Sequence, residues 1–374
     1  MDKTAQSLPR PGFSTTLVSF HHFLTILTCS SYPPPRPQDS DPYAIDRLSA
    51  RDLKHASDEE ETFSPDLQGR VQYLFRSRRF LGWLNGPSHS ILLVDANIEG
   101  STDLNISVTS VFAANFSKSI LSVLPEQAVV VHFFCGPHSY IRDEYHGPTG
   151  MVLFLVAQLA LQLHDMDPEM ASWDLNFIDH PERLARLGQH DLAELCRTFH
   201  ALVDRVPQGM TVYCVIDSVG FMDRDRMWPD FEFVMQCLDR VVNDEGLRAT
   251  VKVLMFNQSG STYRMKRVPA FEGNRLDLAP GDCLAVTISR KEIEKQPRQA
   301  LGEQASPPHE PPNFGRGTSE TGTTDTETCR NAGGTALASP TAASAGKDTK
   351  YINERGTTTA VASKDTRGTH TEAN

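Results

Sequence analysis

The sequence has few of the features that mark secreted, membrane-spanning or nucleic-acid-binding proteins. Its seven cysteines are scattered over 374 residues and several sit in apolar runs, which is typical of buried free thiols in a reducing compartment. No apolar run reaches the length that spans a membrane. A net charge of -11 at pH 7 argues against an extended nucleic-acid surface. We therefore expect an intracellular, cytoplasmic protein with no membrane span and no nucleic-acid partner.

The composition divides the chain into three parts. Residues 1–64 combine a short apolar stretch with a proline cluster, which predicts an N-terminal helical and linker segment. Residues 65–292 alternate short apolar runs with amphipathic stretches, which predicts an α/β domain. Residues 293–374 are rich in Thr, Gly, Ala, Ser and charge and have almost no large apolar side chain. Such a segment cannot bury enough surface to offset its ordering entropy, so we predict a disordered tail.

The central domain is predicted to contain a mostly parallel sheet. Strands alternate with helices of ten or more residues, as in βαβ units, and the longest strand is a continuous apolar run with one histidine. The predicted strands are Ile91–Val94, Ala128–Cys135, Thr211–Ile216, Val251–Phe256, Arg275–Leu278 and Cys283–Ile288. The predicted helices are Val71–Leu84, a helix from about Ser107 to Pro125, Met151–Leu163, Asp191–Val206 and Phe231–Val242.

The segment from Ser90 to Leu124 runs from a strand through a loop into a helix, the order that a phosphate-binding loop requires. Such loops usually read G-x-x-x-x-G-K-[ST]: backbone N–H groups hold the phosphate, the lysine reaches the outer phosphates, and the hydroxyl holds magnesium. Counted from Asp95, the second glycine is Gly100 and the hydroxyl is Thr102. Asp95 replaces the first glycine and Ser101 replaces the lysine, so the pattern predicts a degenerate site.

A second register of the same loop is longer and uses Ser107 as the helix cap, and it has no lysine either. In both registers the first basic residue after the loop is Lys118, well along the helix. The residues that we assign to a degenerate nucleotide site are Asn97, Gly100, Ser101, Thr102, Asp217 and Asn257.

Four strands end on polar or cysteine residues. Asp95, Cys135, Asp217 and Asn257 all follow apolar runs, and ligands of parallel sheets bind at the carboxyl ends of strands. In nucleotide-hydrolysing proteins an aspartate in the position of Asp217 holds Mg²⁺, although aspartate also suits plain turns. The next residue is Ser218, where many hydrolases carry a catalytic glutamate, so we assign no catalytic residue and no hydrolytic activity.

Histidine and cysteine residues near the second strand raise the possibility of a zinc site. His132, Cys135, His138 and His146 are all of ligand type, and Cys135 and His138 are closely spaced. Side chains alternate across a strand, so His132 and Cys135 would point to opposite faces of the sheet. Zinc binding is therefore kept only as a further alternative.

Five segments in order resemble the STAND-type P-loop NTPase domains, specifically the NACHT and nephrocystin-like N-terminal domains abundant in filamentous fungi. The segments are FLGWLNGPSHSILLVDAN, VVVHFFCGPH, GPTGMVLFLVAQL, TVYCVIDSV and VKVLMFNQSG, and they cover about residues 70–290. The resemblance implies a three-layer α/β/α fold in which the fourth strand separates the first strand from the Asp217 strand. It also implies a switch or scaffold whose assembly depends on nucleotide state.

The missing lysine and catalytic acids favour a pseudo-NTPase, a non-catalytic interaction or scaffold module with unknown protein partners. The alternative is a signalling switch that binds ATP or GTP with Mg²⁺ and hydrolyses it little or not at all. That alternative needs another cation in place of the lysine, and the candidates are Arg264, Lys266 and Lys252.

Overall fold

The protein was analysed as a computed structural model that describes residues 19–28, 43–58, 64–98, 106–166, 178, 180–278 and 295. The chain divides into two compact units, residues 1–311 and 312–374, and all described residues lie in the first. The helices are α1 (Phe20–Thr28), α2 (Ala44–Asp58), α3 (Pro65–Arg76), α4 (Arg78–Asn85), α5 (Val108–Val123), α6 (Gly147–Met166), α7 (Pro181–Gly188), α8 (Leu192–Val203), α9 (Trp228–Val242) and α10 (Tyr263–Lys266). The strands are β1 (Ser90–Asp95), β2 (Ala128–Phe134), β3 (Thr211–Asp217), β4 (Thr250–Asn257) and β5 (Arg275–Asp277).

The five strands form one parallel sheet in the order β2-β3-β4-β1-β5. The prediction of a parallel α/β sheet is confirmed, and five of the six predicted strands are present to within one or two residues. The strand predicted at Cys283–Ile288 and the tail at 293–374 lie outside the described residues, apart from Lys295. β4 lies between β1 and β3, which is the strand order that the family resemblance implies.

Helices cover both faces of the sheet and produce two hydrophobic cores. One core joins the sheet to α1, α6, α7, α8 and α9, and the other joins it to α3, α4 and α5. α2 runs past the β2 edge and contributes Ile45 to the first core and Ala56 to the second. Because both faces of β2, β3 and β4 are buried, these strands are apolar at almost every position.

The single helix predicted at Val71–Leu84 is wrong, because the structure has α3 and α4 there. They meet at Ser77, whose backbone is extended (φ -66°, ψ 121°) and whose hydroxyl caps α4. Phe75 and Phe80 are five positions apart, so a continuous helix would point them roughly 140° apart. The break lets both rings pack on Phe112 of α5, at centroid distances of 4.8 and 5.9 Å.

Three further helices were not predicted: α2, α7 and the short α10. α2 reads AIDRLSARDLKHASD and shows no clear apolar face in the sequence. Its buried positions include the polar residues Ser49 and Asp52 as well as Ile45. α6 is longer than predicted. It is the one helix in the described part of the chain that is long and apolar enough to cross a membrane, and most of it is buried in the core.

The outer edge of β2 is covered by two glutamine side chains of α6. The Gln158 amide accepts a hydrogen bond from the His132 N–H at 3.2 Å and donates one to the His132 carbonyl at 2.7 Å. One helical turn later, Gln162 bonds to the N–H and carbonyl of Val130 in the same way, at 3.0 and 2.6 Å. The two amides thus replace the hydrogen bonds of a neighbouring strand.

Candidate functional site

The carboxyl ends of β1, β3 and β4 bring Asp95, Asp217 and Asn257 to one edge of the sheet. The Asn257 amide donates to Asp95 Oδ1 at 3.0 Å, and the Ser261 hydroxyl donates to the same oxygen at 2.6 Å. Arg275 Nε lies 3.5 Å from the other oxygen of Asp95. Burial raises the pKa of Asp95, and these hydrogen bonds and Arg275 oppose the rise. The Asp95 carboxylate therefore holds neighbouring loops together.

Asp217 is fully buried (0% exposed) and is surrounded by hydroxyl groups. Thr109 donates to Oδ1 at 3.0 Å, and Ser110 donates to Oδ2 at 2.6 Å, so the first turn of α5 is tied to the end of β3. Ser218 also donates to Oδ2 at 2.6 Å and accepts from the Gln258 amide at 2.6 Å. Burial raises the pKa of Asp217, and the three hydroxyls oppose that rise. A metal ion would have to displace these hydroxyl donors.

The start of α5 is defined by a cap at Ser107. The Ser107 hydroxyl accepts from the Ser110 N–H at 3.3 Å, and the Ser110 hydroxyl accepts from the Ser107 N–H at 2.9 Å, which forms a capping box. Thr109 and Ser110, in the first turn of α5, both contact the aspartate of β3. The residue before them is Val108, which is only 2% exposed.

The structure confirms Ser107 as the cap of α5. Gly100, Ser101 and Thr102, which define the shorter register, lie outside the described residues, so no contact can be assigned to them. α5 begins six positions after Thr102, at Val108. The chain from Ala96 to Ser117 contains no lysine or arginine in either register.

Asn97 follows β1 in a left-handed backbone conformation (φ 51°). Its amide donates to the Asp95 carbonyl at 3.3 Å and to the carboxylate of Asp277 in β5. Gly260 approaches it so closely that a Cβ there would lie 2.7 Å from the Asn97 side-chain oxygen. In this arrangement Asn97 connects β1 to β5, and its predicted role in nucleotide binding stays a prediction.

A cavity of about 250 Å³ lies beside these groups, at the carboxyl ends of β3 and β4. It is lined by Ser218, Gly220, Phe221, Asp223, Arg224, Asn257, Gln258 and Ser259. Gly220 is required by the packing, because a Cβ there would lie 2.6 Å from the Asn257 side-chain oxygen. Arg224 places its guanidinium 5.6 Å from the ring centroid of Phe221. The sequence interpretation missed this arginine because it follows a short 3₁₀ helix after β3.

The cations proposed to replace the lysine are placed differently. Lys252 lies toward the opposite end of β4, and its ammonium donates to the Trp83 carbonyl at 2.7 Å. Arg264 is held in ion pairs with Asp223 and Asp225 and stacks over the Trp228 ring at 4.8 Å. Lys266 is exposed on α10. Arg224 is thus the cation among the described residues that lines the crevice cavity.

The histidine and cysteine residues near β2 are held in separate contacts. Both ring nitrogens of His138 bond to carboxylates, of Asp52 at 3.0 Å and of Asp143 at 2.8 Å. His132 Nε2 contacts the Ser49 hydroxyl at 3.0 Å. The remaining two are engaged elsewhere: Cys135 packs in the core, and His146 bonds to the carbonyl of residue 138. Over the described ranges, no group of three or more His, Cys, Asp or Glu is arranged to hold a metal.

No protein-family model matches the chain, and no curated protein matches it. The fold and the site define an α/β protein with a five-stranded parallel sheet. The crevice at its carboxyl edge is filled largely by the chain's own hydroxyl, amide and carboxylate groups. Function has to be argued from that arrangement.

Proposed function

We propose that the chain is a non-catalytic interaction or scaffold module of the STAND/NACHT type, with a degenerate nucleotide site. The strand order, with β4 between β1 and β3, supports this proposal. The contact between the first turn of α5 and Asp217 supports it too, because a phosphate-binding loop places its hydroxyl beside the aspartate of a neighbouring strand. The module acts inside the cell on protein partners. The four described cysteines are free thiols, as expected in a reducing compartment.

The observation on which the non-catalytic assignment rests is that three hydroxyl groups of the chain itself occupy the Asp217 carboxylate. A nucleotide with magnesium needs a cation at the loop, an open hydroxyl and a carboxylate that can reach the metal. Here the chain from Ala96 to Ser117 has no lysine or arginine, and the Thr109 hydroxyl donates directly to Asp217. The two groups that would hold magnesium therefore satisfy each other.

Exposed apolar side chains support a role in protein binding. Tyr140 and Ile141 are consecutive residues in the loop after β2 and are 66% and 79% exposed. Tyr263, in α10 after β4, is 75% exposed. Both loops leave the carboxyl edge of the sheet, so this edge presents apolar side chains that a partner could cover.

The alternative function is an ATP- or GTP-binding switch, and one observation favours it. The crevice cavity is open beside Asn257 and is lined by Arg224, which could contact a phosphate. Magnesium would then require Asp217 to exchange its hydroxyl donors for the ion.

Equilibrium binding of ATP and GTP to the full chain, with excess magnesium, separates the two functions. Isothermal titration calorimetry on the unmodified chain and on the variants Arg224→Ala and Asp217→Asn is the suitable measurement, with circular dichroism to verify folding. We expect no saturable binding up to about 1 mM nucleotide, which corresponds to a binding free energy weaker than about -4 kcal/mol.

Micromolar binding that both variants weaken would overturn the non-catalytic assignment and establish the switch. Micromolar binding that neither variant changes would also contradict a degenerate site, and would place the nucleotide outside the crevice described above.

A further inference from the structure

Two cysteines face each other on neighbouring helices, away from the crevice. Cys196 lies on α8 and is buried, whereas Cys237 lies on α9 and is partly exposed. Both side chains also line a small apolar cavity beside α6, and each thiol shifts the pKa of the other. Both thiols line a surface cavity of about 290 Å³, so small molecules in solvent can reach the pair.

The surroundings of the pair are positively charged. Arg197 and Arg240 line the same cavity. Beside it, the buried carboxylate of Glu194 is shared by three arginines, at N–O distances of 2.6–3.7 Å: Arg183, Arg186 and Arg197. The charges of Arg240 and Arg197 both act on the Cys237 thiol and favour its ionised form. Positive charge stabilises a thiolate, the reactive form of cysteine.

Cys237 differs from the other described cysteines in its ionisation. The hydrogen bond from Cys196, aided by Arg240 and Arg197 and opposed by burial, lowers the pKa of Cys237 to about 7. Burial raises the pKa of Cys214 to about 12 and also raises the pKa of Cys135. Those two thiols belong to the core between sheet and helices, and each is fully buried.

We propose that Cys196 and Cys237 form a dithiol site that low-molecular-weight disulfides oxidise reversibly, with Cys237 as the attacking thiol and Cys196 as the resolving thiol. The assignment rests on three features of Cys237: its partial exposure, the second thiol beside it and the arginines that line the same cavity. This site lies apart from the crevice and does not depend on whether the crevice binds nucleotide.

The reaction with glutathione disulfide proceeds in two exchanges. The Cys237 thiolate attacks one sulfur, the S–S bond of the oxidant breaks, and one glutathione leaves as its thiolate. Cys196 then gives its proton to solvent and attacks the Cys237 sulfur, which releases the second glutathione thiolate. The two protein sulfurs together lose two electrons, which leave with the two glutathione thiolates, and the thiol protons go to solvent. Free thiols in excess reverse both steps.

The bridge would connect α8 to α9 across the segment 196–237. This segment contains β3, Asp217 and the residues Ser218–Arg224 on one side of the crevice cavity. Oxidation would therefore restrain the part of the chain that forms that side of the crevice.

The test uses the full chain, incubated with glutathione disulfide at pH 7 and then alkylated and mapped by peptide mass spectrometry. We expect a disulfide between Cys196 and Cys237 that dithiothreitol removes. In the variant Cys196→Ser, the resolving thiol is missing, so a glutathione adduct should accumulate on Cys237. In the variant Cys237→Ser, the peptide containing Cys196 should stay reduced. The matched control, Cys214→Ser, should form the same disulfide as the unmodified chain.

A second measurement separates reactivity from simple proximity. The rate of Cys237 alkylation by iodoacetamide should rise with a midpoint near the pKa of about 7, and this midpoint should move to higher pH in Cys196→Ala, which has no group that can donate to the Cys237 sulfur. A Cys237 that reacts no faster than Cys214 in the folded chain would overturn the proposal. A stable glutathione adduct on Cys237 of the unmodified chain, with no bridge to Cys196, would overturn it equally.

Discussion

The Asp217 carboxylate stabilises the fold by accepting three buried hydrogen bonds. Asp217→Ala would leave the hydroxyls of Thr109, Ser110 and Ser218 without their acceptor in a fully buried place. We expect the free energy of unfolding to fall by about 2–4 kcal/mol, since each unsatisfied buried donor is costly. Urea unfolding measures this change.

The control for that measurement is Ser117→Ala, on the same helix. The Ser117 hydroxyl bonds only to a carbonyl within α5, so its removal should cost about 1 kcal/mol or less. An Asp217→Ala variant within about 0.5 kcal/mol of the unmodified chain would contradict a structural role for this carboxylate.

His138 predicts a pH dependence of stability. Burial by itself lowers the pKa of His138, but hydrogen bonds and charge from Asp52 and Asp143 raise it by more, so the folded pKa lies above the unfolded one. The protonated ring therefore stabilises the fold, fully below the unfolded pKa of about 6.5, and this contribution is lost as the pH rises through the folded pKa.

The measurement is urea unfolding of the unmodified chain and of His138→Gln at several pH values from 5.5 to 9. We expect the difference in unfolding free energy between the two to shrink as the pH rises. The same substitution at the exposed His55 on α2, His55→Gln, provides the control. A difference for His138→Gln that is constant with pH would contradict the assignment of a raised pKa.

Individual residues of the crevice could be predicted from the sequence only in part. Asp95, Asp217 and Asn257 were found because each ends an apolar strand. Thr109 and Ser110 were not, although the helix start was predicted correctly, because the contact of its first turn with Asp217 depends on how α5 packs on β3. No pattern along the chain reveals that contact.

At the scale of elements, Gln158 and Gln162 give α6 a function beyond packing. Each amide supplies one donor and one acceptor to the outer edge of β2. We expect the double variant Gln158→Ala/Gln162→Ala to lower the free energy of unfolding by about 2–4 kcal/mol, because four backbone groups lose their partners. Aggregation should increase because the edge of β2 is uncovered.

Urea unfolding and light scattering test this expectation. Gln127→Ala is the control, because Gln127 is exposed in the turn before β2 and its side chain should contribute little. A double variant as stable and as monodisperse as the control would mean that α2 alone protects the edge.

Elements differ in how well the sequence predicted them, for a physical reason. Strands buried on both faces must be apolar at nearly every position, so β2, β3 and β4 were predicted almost to the residue. α2 was missed because it contacts the rest of the protein through few apolar side chains and through polar ones such as Ser49 and Asp52.

At the scale of the whole molecule, the N-terminal helix α1 belongs to the core of the sheet domain. Leu24 is 0% exposed and packs in the same core as α6. We expect Leu24→Asp to destabilise the entire unit by more than about 3 kcal/mol, because it buries a charge without a partner. His21→Asp, on the exposed side of α1, should have little effect.

Thermal unfolding followed by both near-UV and far-UV circular dichroism tests whether α1 and the sheet unfold together. Loss of α1 in Leu24→Asp with the sheet transition unchanged would contradict a shared core.

The strand order also constrains how the chain is made and folded. Among the described strands, β1 pairs with β4 and β5, both of which lie more than 150 positions later in the sequence. A ribosome therefore releases β1 and the apolar α5 long before either partner exists. Contacts of such long range form slowly, and an unpaired apolar strand invites association with other chains. We therefore expect the nascent chain to be most prone to association with other chains before residue 277 has emerged, whatever the finished molecule goes on to bind.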